Sequence, residues 1–431
     1  MVRRDYRFTA LAVSCCLLFL VAACAPFGPA NAGPTPTPGT SGATATPTTA
    51  PMPATQTACP TAGTARAAVF APLVAGSHQN IVYLFNTSSS AEIKRYDAST
   101  GKEVTIVHAP NINIFDAQIS PDGHWILFTT PAGFAGEKAL QLVRMDGQGL
   151  QTLYCSSLTS FEWSPDQKTV VFKVADQIGG GEVDLLDLAT GHLQVALVAP
   201  AVTAGSILVA SASWLDNPHI YIASVVYRSR ETQGSLYALD TAKGAHQQVS
   251  DLSKVFDYSG YCLSFDSSVD NAKLFASTCH ATGPAISPIP QGPSTIIAEP
   301  ALGGPQTTVY TNATLAITTV RVISRTTMLL LIQNLAGDMS HNGLWKMNLD
   351  GTGLTRLTTA GAGQLSSLNG TSQFPWSNIS RDGSMFALKI SSNNDTTEAL
   401  LFGSLGGASP ATFVTVSHTV GSVSIVGWTT M

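Results

Sequence analysis

The sequence predicts an all-β fold, a single β-propeller of seven blades, and three observations carry that prediction. No stretch after Val69 sustains a 3.6-residue apolar period, so the folded part offers no amphipathic helix. A β-rich run, a turn ending in Gly and a second β-rich run recur seven times, with terminal glycines at Gly101, Gly149, Gly191, Gly244, Gly304, Gly353 and Gly407. Finally, the strand Ser422–Trp428 has no blade after it, whereas the first unit, entered through Ile81–Phe85, lacks an inner strand before it. Pairing these two closes a ring and leaves no open sheet edge between first and last units. Six or eight blades stay open at this level.

Along the chain, Met1–Arg7 is short and positive, and Phe8–Ala23 is apolar but short for a permanent bilayer span, as in a signal peptide. Val21-Ala22-Ala23-Cys24 resembles the bacterial lipobox, which implies cleavage before Cys24 and a diacylglycerol on its thiol. Ordinary cleavage at Ala30-Asn31-Ala32 and an uncleaved anchor are the alternatives. Two or three acyl chains bind membrane lipid firmly, so the expected location is extracytoplasmic, on the bacterial cell membrane. Residues 1–23 are thus read as the lipoprotein signal peptide.

Residues 24–66 begin with the lipidated Cys and are rich in Thr, Pro, Ala and Gly, as in Gly33-Pro34-Thr35-Pro36-Thr37-Pro38. Too few large apolar side chains are present to offset the entropy of ordering them, so this stretch is expected to be a disordered, semi-stiff tether. Residues 67–431 form the propeller domain. Charged residues are 11% of the chain, net charge is −5 and hydrophobic residues reach 44%, which supports a sizeable core. The only basic run is Arg3, Arg4 and Arg7, so no nucleic-acid surface is expected.

Of seven cysteines, Cys15 and Cys16 leave with the signal peptide and Cys24 carries lipid, leaving Cys59, Cys155, Cys262 and Cys279. Cys262 and Cys279 flank two adjacent strands and form the first candidate disulfide; Cys59 with Cys155 would then tie the linker to the domain. Free buried thiols are the alternative for both pairs.

Within the domain each Gly-terminated unit ends on a tight turn, where positive φ favours Gly. A second unit alternates with it: Ile119-Ser120-Pro121-Asp122-Gly123 followed by a β run, repeated at Trp163–Phe172 and at Ile379–Leu388. Ser-Pro-Asp-Gly before a β run, then an apolar strand ending in Asp-Gly, resembles the TolB-like and WD-like β-propeller repeats. The resemblance covers Asn80 to Met431 and weakens around Trp214, Phe265 and Val322. It implies that the first turn joins strands a and b of a blade, counted from the axis, and that the Gly turn joins c and d. It also implies a partner-binding module.

No catalytic signature accompanies the repeats. Asp122, Asp166 and Asp382 lie in turns, where Asp caps nearby backbone N–H groups, and on different blades. The nine histidines are scattered, and His-Glu-x-x-His, Cys-x-x-Cys, Gly-x-Ser-x-Gly, Walker and dinucleotide motifs are absent, so no cofactor or metal is expected. Asn393, Asn394, Asp395 and Glu398 make an oxygen-rich loop without the spacing of a calcium loop.

Loop length then points to a surface. The b–c connections Pro131–Lys138, Tyr227–Gly234, Ala281–Ser294, Leu335–Gly343 and Ser391–Glu398 are the long ones, and propeller geometry projects them all from one face. Variable loops on a rigid scaffold carry binding, and aromatic and Arg side chains dominate contact energies, which selects Phe134, Tyr227, Arg228, Arg230 and His341 as candidate contacts. The expected function is a monomeric, membrane-anchored scaffold for an envelope protein or polymer. A lyase- or glycosidase-like enzyme using the central channel, or a solute-sensing propeller, is the alternative.

Overall fold

The structure is a computed structural model. It describes residues 58–68, 70, 72–133, 136–175, 181–198, 207–226, 233–259, 261–282, 289–334, 338–358, 364–365, 378–391, 396–407 and 409–431. They form seven four-stranded antiparallel sheets, a seven-bladed β-propeller, with two short 3-10 turns, Thr241–Lys243 and Val249–Asp251, as the helical content among them.

Blade 1 is composite. Its inner strand a, Gly421–Thr429, comes from the C-terminal end and pairs antiparallel with strand b, Asn80–Thr87, through eight residue pairs including Ile81 with Trp428 and Val82 with Gly427. The other six blades run in sequence order, from the inner strands Asp116–Ile119, Leu158–Trp163, Ile207–Trp214, Tyr261–Ser267, Ile317–Val322 and Gln364–Leu365 outward. All seven predicted glycines lie in c–d turns with positive φ, Gly101 at 70° and Gly353 at 70° among them.

The a–b turns arise from side-chain chemistry. In blade 2 the Ser120 hydroxyl donates to Asp122 (2.5 Å), Asp122 accepts from the His124 N–H (2.9 Å) and Ser120 accepts from the Trp125 N–H (3.0 Å). Blades 3 and 7 repeat this with Ser164–Asp166 and Ser380–Asp382, and blade 5 has a fourth copy, Ser268–Asp270, that the sequence pattern hides. Asp122, Asp166 and Asp382 are therefore turn caps.

The apolar core is not central. It is divided into clusters between neighbouring blades: Val82, Leu84 and Ile93 of blade 1 pack with Ile126, Phe128 and Val143 of blade 2, while Ile81, Tyr83 and Trp428 pack with Ala387 and Leu400 of blade 7. Successive residues of a b strand face opposite neighbours, and both faces are covered. This is why Ile81–Leu84, Ile126–Phe128 and Met328–Ile332 read as unbroken apolar runs rather than alternations.

One expected boundary differs. Ala281–Ser294 is not all loop: strand b of blade 5 runs to Thr282 and strand c starts at Ile289, with the ladder continuing to Thr282 opposite Ile289 past a bulge at Cys279/His280. The Thr- and Pro-containing residues there still complete a backbone ladder, which length and composition could not reveal.

Candidate functional site

Of the five candidate contacts, Phe134, Tyr227, Arg228 and Arg230 lie outside the described residues, as does Cys24. His341 sits in the connection between strand b (Thr327–Ile332) and strand c (Gly343–Asn348) of blade 6. Its ring stacks on Trp345 (centroids 6.4 Å, planes 22° apart), its carbonyl accepts from the Trp345 indole N–H (2.9 Å), and Asp338 pairs with its Nδ1 (3.4 Å). Arg356, opposite Trp345 on strand d, lies 5.7 Å over the indole and donates to the backbone carbonyls of Ser340 (2.8 Å) and Asn342. Burial lowers the Arg356 pKa. Met339, 56% exposed, belongs to the same b–c connection. A half-buried Trp held between an imidazole and a guanidinium is a preorganised contact surface. Loop length points to His341 alone; Trp345 and Arg356 escape that criterion because they belong to strands.

The oxygen-rich loop does not gain a metal from Glu398. That carboxylate pairs with Lys389 and His418 (3.3 Å to Nε2) and accepts from the Val423 N–H of blade 1 (3.0 Å). Asn393, Asn394 and Asp395 lie outside the described residues. Among the described residues no three His, Cys, Asp or Glu side chains gather as metal ligands.

A second group of polar residues lies along the inner strands. At matching register beside strand b stand Gly427, Gln118, Glu162, Ser213, Asp266 and Arg321 on the inner strands of blades 1 to 6, and Asn378 just before the a–b turn of blade 7, opposite Val82, Leu127, Val171, Tyr221, Phe275, Leu329 and Ala387. Six of seven are polar because the inner strand has a free edge whose backbone groups need partners. Gln118 donates to the Phe161 carbonyl of blade 3 (2.7 Å), Glu162 accepts from the Trp214 N–H of blade 4 (3.3 Å) and Asp266 from the Val322 N–H of blade 6 (2.7 Å). Each of these blades thus caps the next. Burial pushes Asp266 up to about 7, against the opposing pull of Arg321 and two backbone N–H groups. Arg321, 7% exposed, is lowered by burial, and the charges of Asp266 and Glu162 act to restore it.

On the turn face a cleft of about 300 Å³ between blades 2 and 3 is lined by Phe70, Trp125, Trp163, Leu142, Asp122 and Lys168, with Phe70 and Trp125 rings 5.6 Å apart. Residues 58–68 run against the same two blades. Cys59 is bonded to Cys155 (Cα–Cα 5.7 Å), Ala67 donates to the Leu188 carbonyl (2.8 Å) and Ala68 to Gln151 (3.3 Å). Cys262 is bonded to Cys279 across strands a and b of blade 5 (Cα–Cα 5.3 Å).

No protein-family model matches this sequence, and no curated protein matches it. In structure the chain is similar to the β-propeller domain of the Trilobed protease from Pyrococcus furiosus, at 10% identity, over 80% of this chain and 96% of that one, with a TM-score of 0.52. That propeller has an open velcro topology; here the last strand closes blade 1. It is also similar to a prolyl endopeptidase (13% identity, 70% of this chain and 41% of that one, TM-score 0.50) and to TolB from Acinetobacter baumannii (14%, 65% of this chain, TM-score 0.40). The chain spans 63% of the length of that TolB. At these identities the likeness is one of fold, the seven-bladed propeller.

Proposed function

We propose that this chain is a membrane-tethered, extracytoplasmic binding propeller that holds an envelope protein or polymer on its b–c loop face. The observation that carries the reading is the cluster of His341, Trp345 and Arg356, which fixes an indole beside a b–c connection that also carries the exposed Met339. Trp and Arg dominate interface energies when their geometry is fixed beforehand. The lipobox-like Val21–Cys24 supports the tether, with lipid on Cys24. Against catalysis weighs the use of the inner-strand carboxylates: Glu162 and Asp266 both serve backbone N–H groups of the next blade.

Photo-crosslinking of the full chain in a bacterial host tests the reading. A benzophenone side chain at position 339 should capture one discrete envelope species, and Trp345→Ala should abolish capture with the fold intact by circular dichroism. A probe at position 302, in a c–d turn on the opposite face, should capture nothing. Equal capture from both positions, or capture indifferent to Trp345→Ala, rejects the loop face as the binding surface. Cys24→Ser should release the protein from the membrane fraction; retention would remove the lipid tether from the proposal.

A further inference from the structure

The two disulfides of the described residues differ in their surroundings. Cys262–Cys279 joins neighbouring strands of one sheet in blade 5, and Cys279 is buried. Cys59, by contrast, is exposed, and its bond to Cys155 joins the N-terminal segment to strand d of blade 2, Gln151–Ser156. Both of these half-cystines line a cleft of about 520 Å³ whose other walls include the small residues Ala58, Ala62, Ala132 and Gly133. Access of a second thiol governs the rate of disulfide exchange, so the two bonds differ in the property that decides their reactivity.

The segment that follows Cys59 is a strap held at its two ends. Cys155 stands opposite Ala139, the second residue of strand c, so the disulfide sits at the b–c loop end of blade 2. At the other end Ala67 donates to the Leu188 carbonyl (2.8 Å), just past strand c of blade 3, and Ala68 donates to Gln151 (3.3 Å), the first residue of strand d of blade 2. Both bonds lie at the c–d turn end. The strap therefore crosses the height of a blade, about 20 Å for a six-residue strand, a span that the eight residues from 59 to 67 cover when extended. Among the described residues no hydrogen bond or ion pair ties residues 58–66 to a blade; the bonds from Thr64 to the Thr61 carbonyl (backbone 3.1 Å, hydroxyl 2.6 Å) are internal to the strap. Ring closure does not depend on the strap, since Gly421–Thr429 pairs with Asn80–Thr87.

We infer that Cys59–Cys155 is a thiol-exchangeable clasp that sets where the N-terminal chain leaves the propeller: the b–c loop face when oxidised, the c–d turn face once a dithiol has reduced it. A thiolate of the dithiol attacks the exposed Cys59 Sγ, the Sγ–Sγ bond breaks and Cys155 leaves as thiolate. The second thiolate of the dithiol then closes on the first sulfur and expels Cys59. Two electrons pass to the cysteines, which take up the two thiol protons, and the dithiol becomes a disulfide. The binding face is then the tethered face only in the oxidised chain; that consequence rests on the lipid at Cys24 in the proposed function, whereas the clasp itself does not.

Stepwise exposure of the full-length protein in detergent to dithiothreitol tests it, with free thiols trapped by iodoacetamide and located by mass spectrometry. Cys59 and Cys155 should become alkylated together, at least tenfold faster than Cys262 and Cys279. A benzophenone side chain at position 58 reports the strap. In the oxidised chain it should crosslink to residues 131–139, and selective reduction should lower that yield at least fivefold with the circular dichroism spectrum unchanged. Cys59→Ser should give the low yield with or without dithiothreitol. Neither readout needs lipid on Cys24, so loss of the tether is read separately, from the membrane fraction. Equal reduction rates for the two disulfides, earlier opening of Cys262–Cys279, or an undiminished crosslink after Cys59–Cys155 has opened would each overturn the proposal.

Discussion

Closing a ring with a strand from the far end of the chain leaves blade 1 without an a–b turn, and the structure fills that gap from blade 7. Arg381 occupies the position held by Pro121 in the blade 2 turn. Its guanidinium donates to the Ser120 carbonyl (2.9 Å) and to the Pro121 carbonyl, spanning blade 1. Thr429, on the closing strand, donates to the Gly123 carbonyl of the same turn (3.1 Å). A side chain on Gly123 would press on both, because a Cβ there would lie 3.0 Å from each. Hydrogen bonds to charged groups contribute about 1.5–3 kcal/mol each, but burial lowers the Arg381 pKa, so part of that gain is cancelled by desolvation. Arg381→Met keeps the aliphatic stem and should therefore cost about 2–3 kcal/mol, and Thr429→Val about 1 kcal/mol. Because both act on one turn, the double variant should fall short of additivity by roughly 0.5–1 kcal/mol. Urea unfolding monitored by Trp fluorescence gives these values. Native-state hydrogen exchange locates them: amides of Gly421–Thr429 should lose about 30-fold protection in Arg381→Met, the equivalent of about 2 kcal/mol. Lys254→Met, which removes an exposed pair with Asp257, is the control and should leave stability unchanged within the error of the unfolding curve. If Arg381→Met behaves like that control, or if lost protection is spread evenly over all blades, the clasp is not what holds the ring shut.

Two other perturbations test separate parts of the structure. Asp184, 4% exposed in strand c of blade 3, is pushed up to about 7 by burial and then by the charge of Glu182. The folded chain holds this proton more tightly than the unfolded one, so the associated stability is complete below the normal carboxyl range and disappears as pH rises through about 7. Asp184→Asn should flatten the dependence of stability on pH between about pH 4 and pH 8 and exceed the parent at the upper end by up to about 4 kcal/mol in urea unfolding; parallel curves would contradict the assignment. Cys155→Ser should leave residues 58–66 held by little beyond the Ala67 and Ala68 hydrogen bonds, so trypsin should cut at the exposed Arg66 about tenfold faster while the blades resist. Unchanged cleavage would mean that the disulfide does not hold this segment to blade 2.

Legibility in the sequence tracks the range of the forces involved. The c–d glycines and the Ser-Pro-Asp turns are local: positive φ and a side-chain cap are decided within five residues, so Gly101 or Ser120–Asp122 can be recognised without knowing their neighbours. Blade 5 shows where this stops. Ser268 and Asp270 make the same cap around Val269, and without Pro and Gly the copy escapes recognition. The His341 loop is visible by its length, but the indole that organises it, Trp345, reads as one more strand residue. The polar group along the inner strands does leave a signal, found by aligning the inner strands on their turns and reading two positions back: Gln118, Glu162, Asp266 and Asn378 each precede a turn Ser by two. Arg321 and Ser213 have no such Ser to mark them.

Blade number, turn chemistry and the closing strand are all legible in the amino-acid order, because each depends on short-range backbone preference repeated often enough to count. What meets across the ring is not. Which blade caps which, how Arg381 bridges blades 7 and 2, and that Arg321 shares a field with Glu162 are consequences of circular packing. That packing places residues hundreds of positions apart within hydrogen-bond or Coulomb reach and leaves no trace in local spacing.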